Sequence, residues 1–251
     1  MKQTSLTFIL AMVLMLIVST PSANAQVVLL HLADNQIVKY CTSQLDSITF
    51  EEHDWVDLGL PSGTLWATCN VGANVPEGSG DYFAWGETKP KSNYTWSTYA
   101  HCNGTGNKLT KYCTSGSCGD NGFTDDLVEL LPEDDAATAN WGEKWQTPDS
   151  AQLAELFDSE NTRKMWMHRN GRFGWLVTSI HNGQSIFMPA CGSKYYGDFY
   201  EVNSEGCYWS RSLAADYWPL ISVYLNFSSE NFGTNRSYRN AGYSVRPVRK
   251  K

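Results

Sequence analysis

Apolar residues recur in short alternating runs along most of this chain, and at helical spacing in one stretch only. Val27 to Leu32 and Ile37 to Tyr40 predict two strands around an Asp34-Asn35 turn, with Leu45 to Phe50 as a third. Alone, this unit buries too little apolar surface to be stable. From His53 to Lys91, Gly and Pro break the apolar pieces into short strands, such as Thr64 to Thr68 and Tyr82 to Trp85. Ser92 to Asp126 reads as a long polar loop region. A helix is predicted after Pro132, with Glu133, Asp134 and Asp135 in its first turn, where the helix dipole favours anions, and with Gly142 at its end. A second is predicted with Thr147 as N-cap and Pro148 at its first position. Leu153, Leu156 and Phe157 give it one apolar stripe at i, i+3 and i+4. Then strands return. Trp175 to Ile180 and Ser185 to Met188 predict a hairpin through His181-Asn182-Gly183. Ser222 to Ser228 alternates, with Val223, Leu225 and Phe227 on one side and Tyr224 and Asn226 on the other. Tyr243 to Val248 predicts a last strand, with Pro247 at an edge or end. Short strands, two helices, then strands with long loops indicate an α+β domain.

The N-terminus adds an address. Lys2 precedes a 13-residue apolar run, Leu6 to Val18, and Ala23-Asn24-Ala25 has the form of a signal cleavage site. Residues 1–25 are expected to be removed, leaving 226 residues: a small β unit over 26–52 and a main domain over 53–251. No later segment has membrane-spanning length. Export to the periplasm, the cell surface or the medium is therefore expected. The net charge of −7 argues against a nucleic-acid or anionic-membrane partner. Arg246, Arg249, Lys250 and Lys251 read as a solvated chain end. Seven cysteines are present and an oxidising compartment permits disulfides. Cys102 and Cys113 flank a Gly/Asn-rich loop, with Cys118 as a competing partner. Cys191 and Cys207 are a further candidate pair.

Several phrases, in order, resemble a known family. They are WATCNVGA (66–73), GDYFAWGE (80–87), LPEDDAATANWG (131–142), WQTPDSAQLAEL (145–156), IFMPACG (186–192), GCYWS (206–210) and SVRPVR (244–249). Together they resemble the Fibrobacter succinogenes major paralogous domain family over roughly Trp55 to Arg249. The N-terminal strand-turn-strand segment looks like those of exported Bacteroidota proteins. The resemblance implies a C-type-lectin-like fold, in the group that includes formylglycine-generating enzymes: two helices on a mixed, mostly antiparallel sheet, with long loops presenting a ligand surface. Against that pattern the chain has Gln146 for Arg, Arg211 for Ser, and cysteines at 191 and 207. Their joint appearance suggests a private disulfide.

The candidate chemistry lies near the C-terminus. From Tyr195 to Tyr243, 13 of 49 residues are aromatic, about twice the whole-chain share, and none is Lys. Tyr and Trp with Asn, Ser and Gly is the composition of binding loops. Arg211, Tyr217, Trp218, Tyr224, Asn226, Asn231, Asn235, Tyr238 and Asn240 are the expected ligand-binding residues; Trp209 and Phe227 are expected in the core. Rings stack on sugars or fill protein pockets, and amides bond hydroxyls or backbone. The expected partner is thus a glycan or a surface protein, with no catalytic residue, cofactor or metal. The acidic residues from Asp120 to Asp135 fit no EF-hand spacing and read as helix-start and surface charge. No His pair has zinc-hydrolase spacing and no Gly-x-Ser-x-Gly occurs. Two alternatives stand beside this reading. One is an oxidase of the formylglycine-generating type, acting through Cys191 or Cys207. The other is a structural subunit of a surface assembly.

Overall fold

The computed structural model describes residues 27–31, 36–41, 53–214 and 216–249. The first 25 residues, the Asp34-Asn35 turn and the expected strand from Leu45 to Phe50 lie outside them. The chain divides into two compact units between Glu51 and Glu52. In the first, β1 (Val27–His31) pairs antiparallel with β2 (Ile37–Cys41) in full register, from Val27↔Cys41 to His31↔Ile37.

The second unit is α+β: small sheets of mostly antiparallel strands with two α-helices. In order come β3 (Trp55–Asp57), β4 (Leu65–Ala67), α1 (Ala136–Trp141), α2 (Ser150–Phe157), β5 (Thr162–Arg169), β6 (Arg172–Ser179), β7 (Ser185–Pro189), β8 (Ser193–Tyr195), β9 (Asp198–Tyr200), β10 (Gly206–Leu213), β11 (Ile221–Phe227), β12 (Phe232–Tyr238) and β13 (Val248–Arg249). Three sheets have three strands each, in the orders β13-β4-β3, β5-β6-β7 and β10-β11-β12, and β8 pairs with β9.

Both helices begin later than their local sequence predicts, for one shared reason. Pro132–Asp134 forms a separate 3-10 turn, and Asp135 caps α1 by accepting from the Ala137 and Thr138 amides. The same carboxylate takes the Thr147 amide and hydroxyl. Thr147 is thereby unavailable as a cap. Asp149 caps α2 instead, in a capping box with Gln152. Gly142 ends α1 at φ 90, as expected of a glycine there.

The hairpin through His181-Asn182-Gly183 forms. A second joins β5 to β6 through Asn170-Gly171, at φ 46 and 83, the left-handed pair a tight hairpin turn requires. Two expected strands shrink. Tyr82 to Trp85 keeps only the Phe83↔Tyr243 bridge, and the last strand reduces to β13 with isolated bridges at Tyr243 and Ser244.

The core has three parts. The Leu153, Leu156 and Phe157 stripe of α2 packs with Trp66, Leu225 and Phe227. Trp85, Trp209 and Tyr243 build a second cluster over Ala136 and Ala137. Here two indoles lock reciprocally: Trp85 Nε1 donates to Ser210 O and Trp209 Nε1 to Phe83 O, each at 2.8 Å. The third lies inside the expected polar loop, where Tyr94, Tyr99, Leu109 and Cys102, Cys113 and Cys118 are buried together. Polar composition hid it, because aromatic and cysteine residues are interleaved one at a time.

Two arginines are fully buried. Arg246 was expected in a solvated chain end. Its guanidinium instead donates to Asn70 Oδ1 and to the Ala67, Thr68 and Phe187 carbonyls, at 2.8–3.1 Å. Arg239 donates to the Tyr112 and Lys111 carbonyls, with the Trp85 and Tyr99 rings each 5.4 Å away.

His101 lies beside that cluster. Its Nε2 is 2.7 Å from Gly86 O and 3.8 Å from Asp134 Oδ1, and its ring meets Tyr99 and Tyr112 edge-on. Burial, helped by Arg239 and Lys111, pushes its pKa below the ordinary 6.5, against the pull of Gly86 O and Asp134. A lowered folded-state pKa means that the unfolded chain binds the proton first as pH falls. Stability contributed by neutral His101 is present above pH 6.5 and is lost below it. Denaturant unfolding from about pH 7.5 to 5 is expected to show a decline that His101→Gln reduces, by at most about 1.4 kcal/mol per pH unit. An unchanged slope in the variant would refute the assignment.

Candidate functional site

The sheet β10-β11-β12 carries most of the expected binding residues, and its register sorts them onto two faces. Val223, Leu225 and Phe227 oppose Arg236, Thr234 and Phe232; Tyr224 and Asn226 oppose Asn235 and Gly233. β12 is an edge strand and its side chains are mostly exposed. It was expected as loop because Phe-Gly-Thr-Asn-Arg-Ser-Tyr is too polar for a strand pattern. It forms because seven residues pair continuously with β11.

Three exposed rings lie at and near the end of the first face. Tyr217 is 66 %, Trp218 54 % and Tyr238 48 % exposed. The Arg236 guanidinium lies 5.5 Å from the Tyr217 ring and 3.1 Å from Asp216 Oδ2. Tyr238 meets Trp96 edge-on at 6.1 Å. Trp96 and Arg236 were not singled out from the sequence. Trp96 sits in the loop region read as polar, and Arg236 comes beside the Tyr217 ring from a strand that the sequence read as loop.

The second face is half-buried. Tyr224 packs 4.7 Å from Tyr243, which packs 4.4 Å from Trp209. The hydroxyls of Tyr195, Ser237 and Tyr243 form a closed triad, with distances of 2.8–3.2 Å. Burial pushes the Tyr224 hydroxyl up to about 12, so at neutral pH it is a hydrogen-bonding group and not a base. Asn226 Nδ2 donates to Glu205 Oε2 at 3.2 Å, and Asn235 is exposed at the edge. The β8–β9 hairpin adds Tyr196, Phe199 and Tyr200, all exposed, with Tyr200 6.2 Å from Tyr195.

Three expected site residues stand apart. Asn240 is buried, its amide 3.5 Å from Tyr94 O. Asn231 closes the β11–β12 turn through Ser228. Arg211 is held by Glu129, Gln146 and the Leu130 carbonyl in a separate cleft. Asn235 and Tyr238, expected in loops, are on β12. Trp209 and Phe227 are buried, as expected of core residues.

The expected disulfides are absent: Cys102, Cys113, Cys191 and Cys207 are free, buried thiols. The thiols of Cys102 and Cys113 are turned toward the Trp96 and Ser115 carbonyls, both at 3.1 Å. Cys191 belongs to the first core cluster, against Asn70 and Tyr208, and Cys207 to the second, against Asn226. Burial pushes the Cys207 thiol up to about 12.

The acidic residues before α1 serve local structure. Asp125 accepts the Tyr112 and Cys113 amides, and Asp134 binds Lys111 and the Tyr112 hydroxyl. Among the described residues no three His, Cys, Asp or Glu side chains converge as ligands for a metal ion. Among them, too, no helix is long and apolar enough to cross a membrane. Compared with protein-family models, curated proteins and solved structures, the chain matches none.

Proposed function

We propose that this is an exported, non-enzymatic binding protein of C-type-lectin-like fold, of the Fibrobacter succinogenes major paralogous domain kind, which holds a glycan on its exposed rings. One observation carries the reading: Tyr217, Trp218 and Tyr238 keep about half or more of their surface in solvent, and an exposed Arg236–Asp216 pair lies against the Tyr217 ring. Large rings left in water favour a ligand that is itself part apolar and part hydroxylated. The apolar face of a sugar ring stacks on Tyr or Trp while its hydroxyls meet the guanidinium and carboxylate. The high Cys207 pKa and the burial of Cys191 and Cys207 speak against a reactive thiolate at either position.

The test is a glycan array probed with the intact chain, with and without EDTA. Selective binding that survives EDTA is expected, reduced about tenfold or more by Trp218→Ala or Tyr238→Ala, as for a truncated hot-spot ring. Binding unchanged in both variants would refute the site. Loss in EDTA would turn the reading to a metal-dependent one, and no binding at all would favour a protein ligand.

A second reading, a subunit of a surface assembly, is favoured by the first unit. Val27, Leu29, Ile37 and Tyr40 of its hairpin are each close to half exposed. Polymers on size exclusion that dissolve on removal of residues 26–52 would support it.

A further inference from the structure

We propose that the cleft holding Arg211 is a second binding site, separate from the exposed rings, that takes one neutral sugar ring. The cleft measures about 310 Å³. That is the lower end for small-molecule sites, so it admits one ring and excludes a chain. Its floor is apolar, formed by Leu130 and Trp145, both nearly inaccessible, with Pro132 beside them.

Fixed polar groups surround that floor. Arg211 Nε lies 2.9 Å from Glu129 Oε2; its terminal nitrogens donate to Gln146 Oε1 at 2.8 Å and Leu130 O at 2.9 Å. These partners hold the guanidinium still. They leave one N–H on each terminal nitrogen with no acceptor among the described residues. Gln146 spends its oxygen on Arg211, and its amide nitrogen has no acceptor among the described residues. Thr138 donates its hydroxyl to Trp145 O and retains acceptor capacity. Glu143 is exposed at the rim.

Charge then selects the occupant. The Arg211 cation is already matched by Glu129, and Glu143 adds a second carboxyl group at the rim, while the Asp135 carboxylate is buried and taken up by Ala137, Thr138 and Thr147. An anion meets these carboxyl groups, and a cation meets the guanidinium. A neutral ligand rich in both donors and acceptors, with an apolar face for the floor, satisfies every group. A hexopyranose has that chemistry.

The experiment is NMR of the intact chain, following the Trp145 indole and Gln146 side-chain amide signals. The probes are the methyl glycosides of glucose, galactose, mannose and N-acetylglucosamine, with acetate and methylammonium for the charged alternatives. At least one glycoside is expected to shift both signals saturably, with millimolar affinity. Gln146→Leu is expected to weaken it about tenfold or more, since it leaves a ligand hydroxyl unpaired. Trp218→Ala is expected to leave it unchanged, which separates this site from the ring surface. If Gln146→Leu disturbs the fold, the rim variant Glu143→Ala takes its place and is expected to weaken the same shifts. Shifts from acetate or methylammonium alone, or none from any glycoside, would overturn the proposal.

Discussion

Arg246→Ala is expected to destabilise the second unit by about 3–5 kcal/mol, a large part of the roughly 5–15 kcal/mol that holds a domain together. The side chain is fully buried and ties β4 to β7, through the Ala67 and Phe187 carbonyls on one fork. Among the described residues no carboxylate is one of its hydrogen-bond partners. Its charge is met by carbonyl dipoles and the Asn70 amide oxygen, and burial lowers its pKa from the ordinary value. Removing it strands those acceptors and opens a cavity, two costs of the same sign. Arg246→Lys keeps the charge but not the planar fork, and is expected to recover only part of the loss. Urea unfolding followed by tryptophan fluorescence reads both variants. A change below about 1 kcal/mol for the alanine variant, the size of an ordinary surface effect, would refute this account.

The second large effect is expected at Asp135. One buried carboxylate caps α1 and also fixes the loop leading to α2 through Thr147. Asp135→Ala is expected to cost about 3 kcal/mol, combining a lost cap with buried donors left unpaired. Asp135→Asn is expected to cost less, because its amide oxygen still accepts while its nitrogen does not. Thr147→Val removes only the hydroxyl bond and is expected to be the mildest of the three. A shared lower midpoint in far- and near-ultraviolet circular dichroism would show both helices failing together. Loss of α1 alone would show that the Thr147 link carries nothing.

Periodicity made the α2 stripe, the β6–β7 hairpin and the alternation of β11 legible in the sequence, since each is a local pattern on one buried face. What escaped depends on partners distant in sequence. The cap of α2 moved from Thr147 to Asp149 because Asp135, twelve residues away, claims the threonine. β5 carries charge at several positions and shows no clean alternation, so the Asn170-Gly171 turn beside it passed unread. β12 is a strand only by virtue of β11. The candidate site was half legible: composition pointed to exposed rings, but not to their division between two faces or the departure of Arg211 to its own cleft. The buried arginines left no local trace, since a guanidinium satisfied by carbonyls has no sequence pattern.

If the proposed binding surface holds, the edge position of β12 separates the problem of folding from the problem of choosing a ligand. Its backbone is held by β11, while Thr234, Asn235 and Arg236 at its centre leave their side chains in solvent. Their identities can change without disturbing the core clusters beneath. The strand is in this sense a rewritable line on a fixed page: under the proposed function, new specificities would be reachable through it without a new fold.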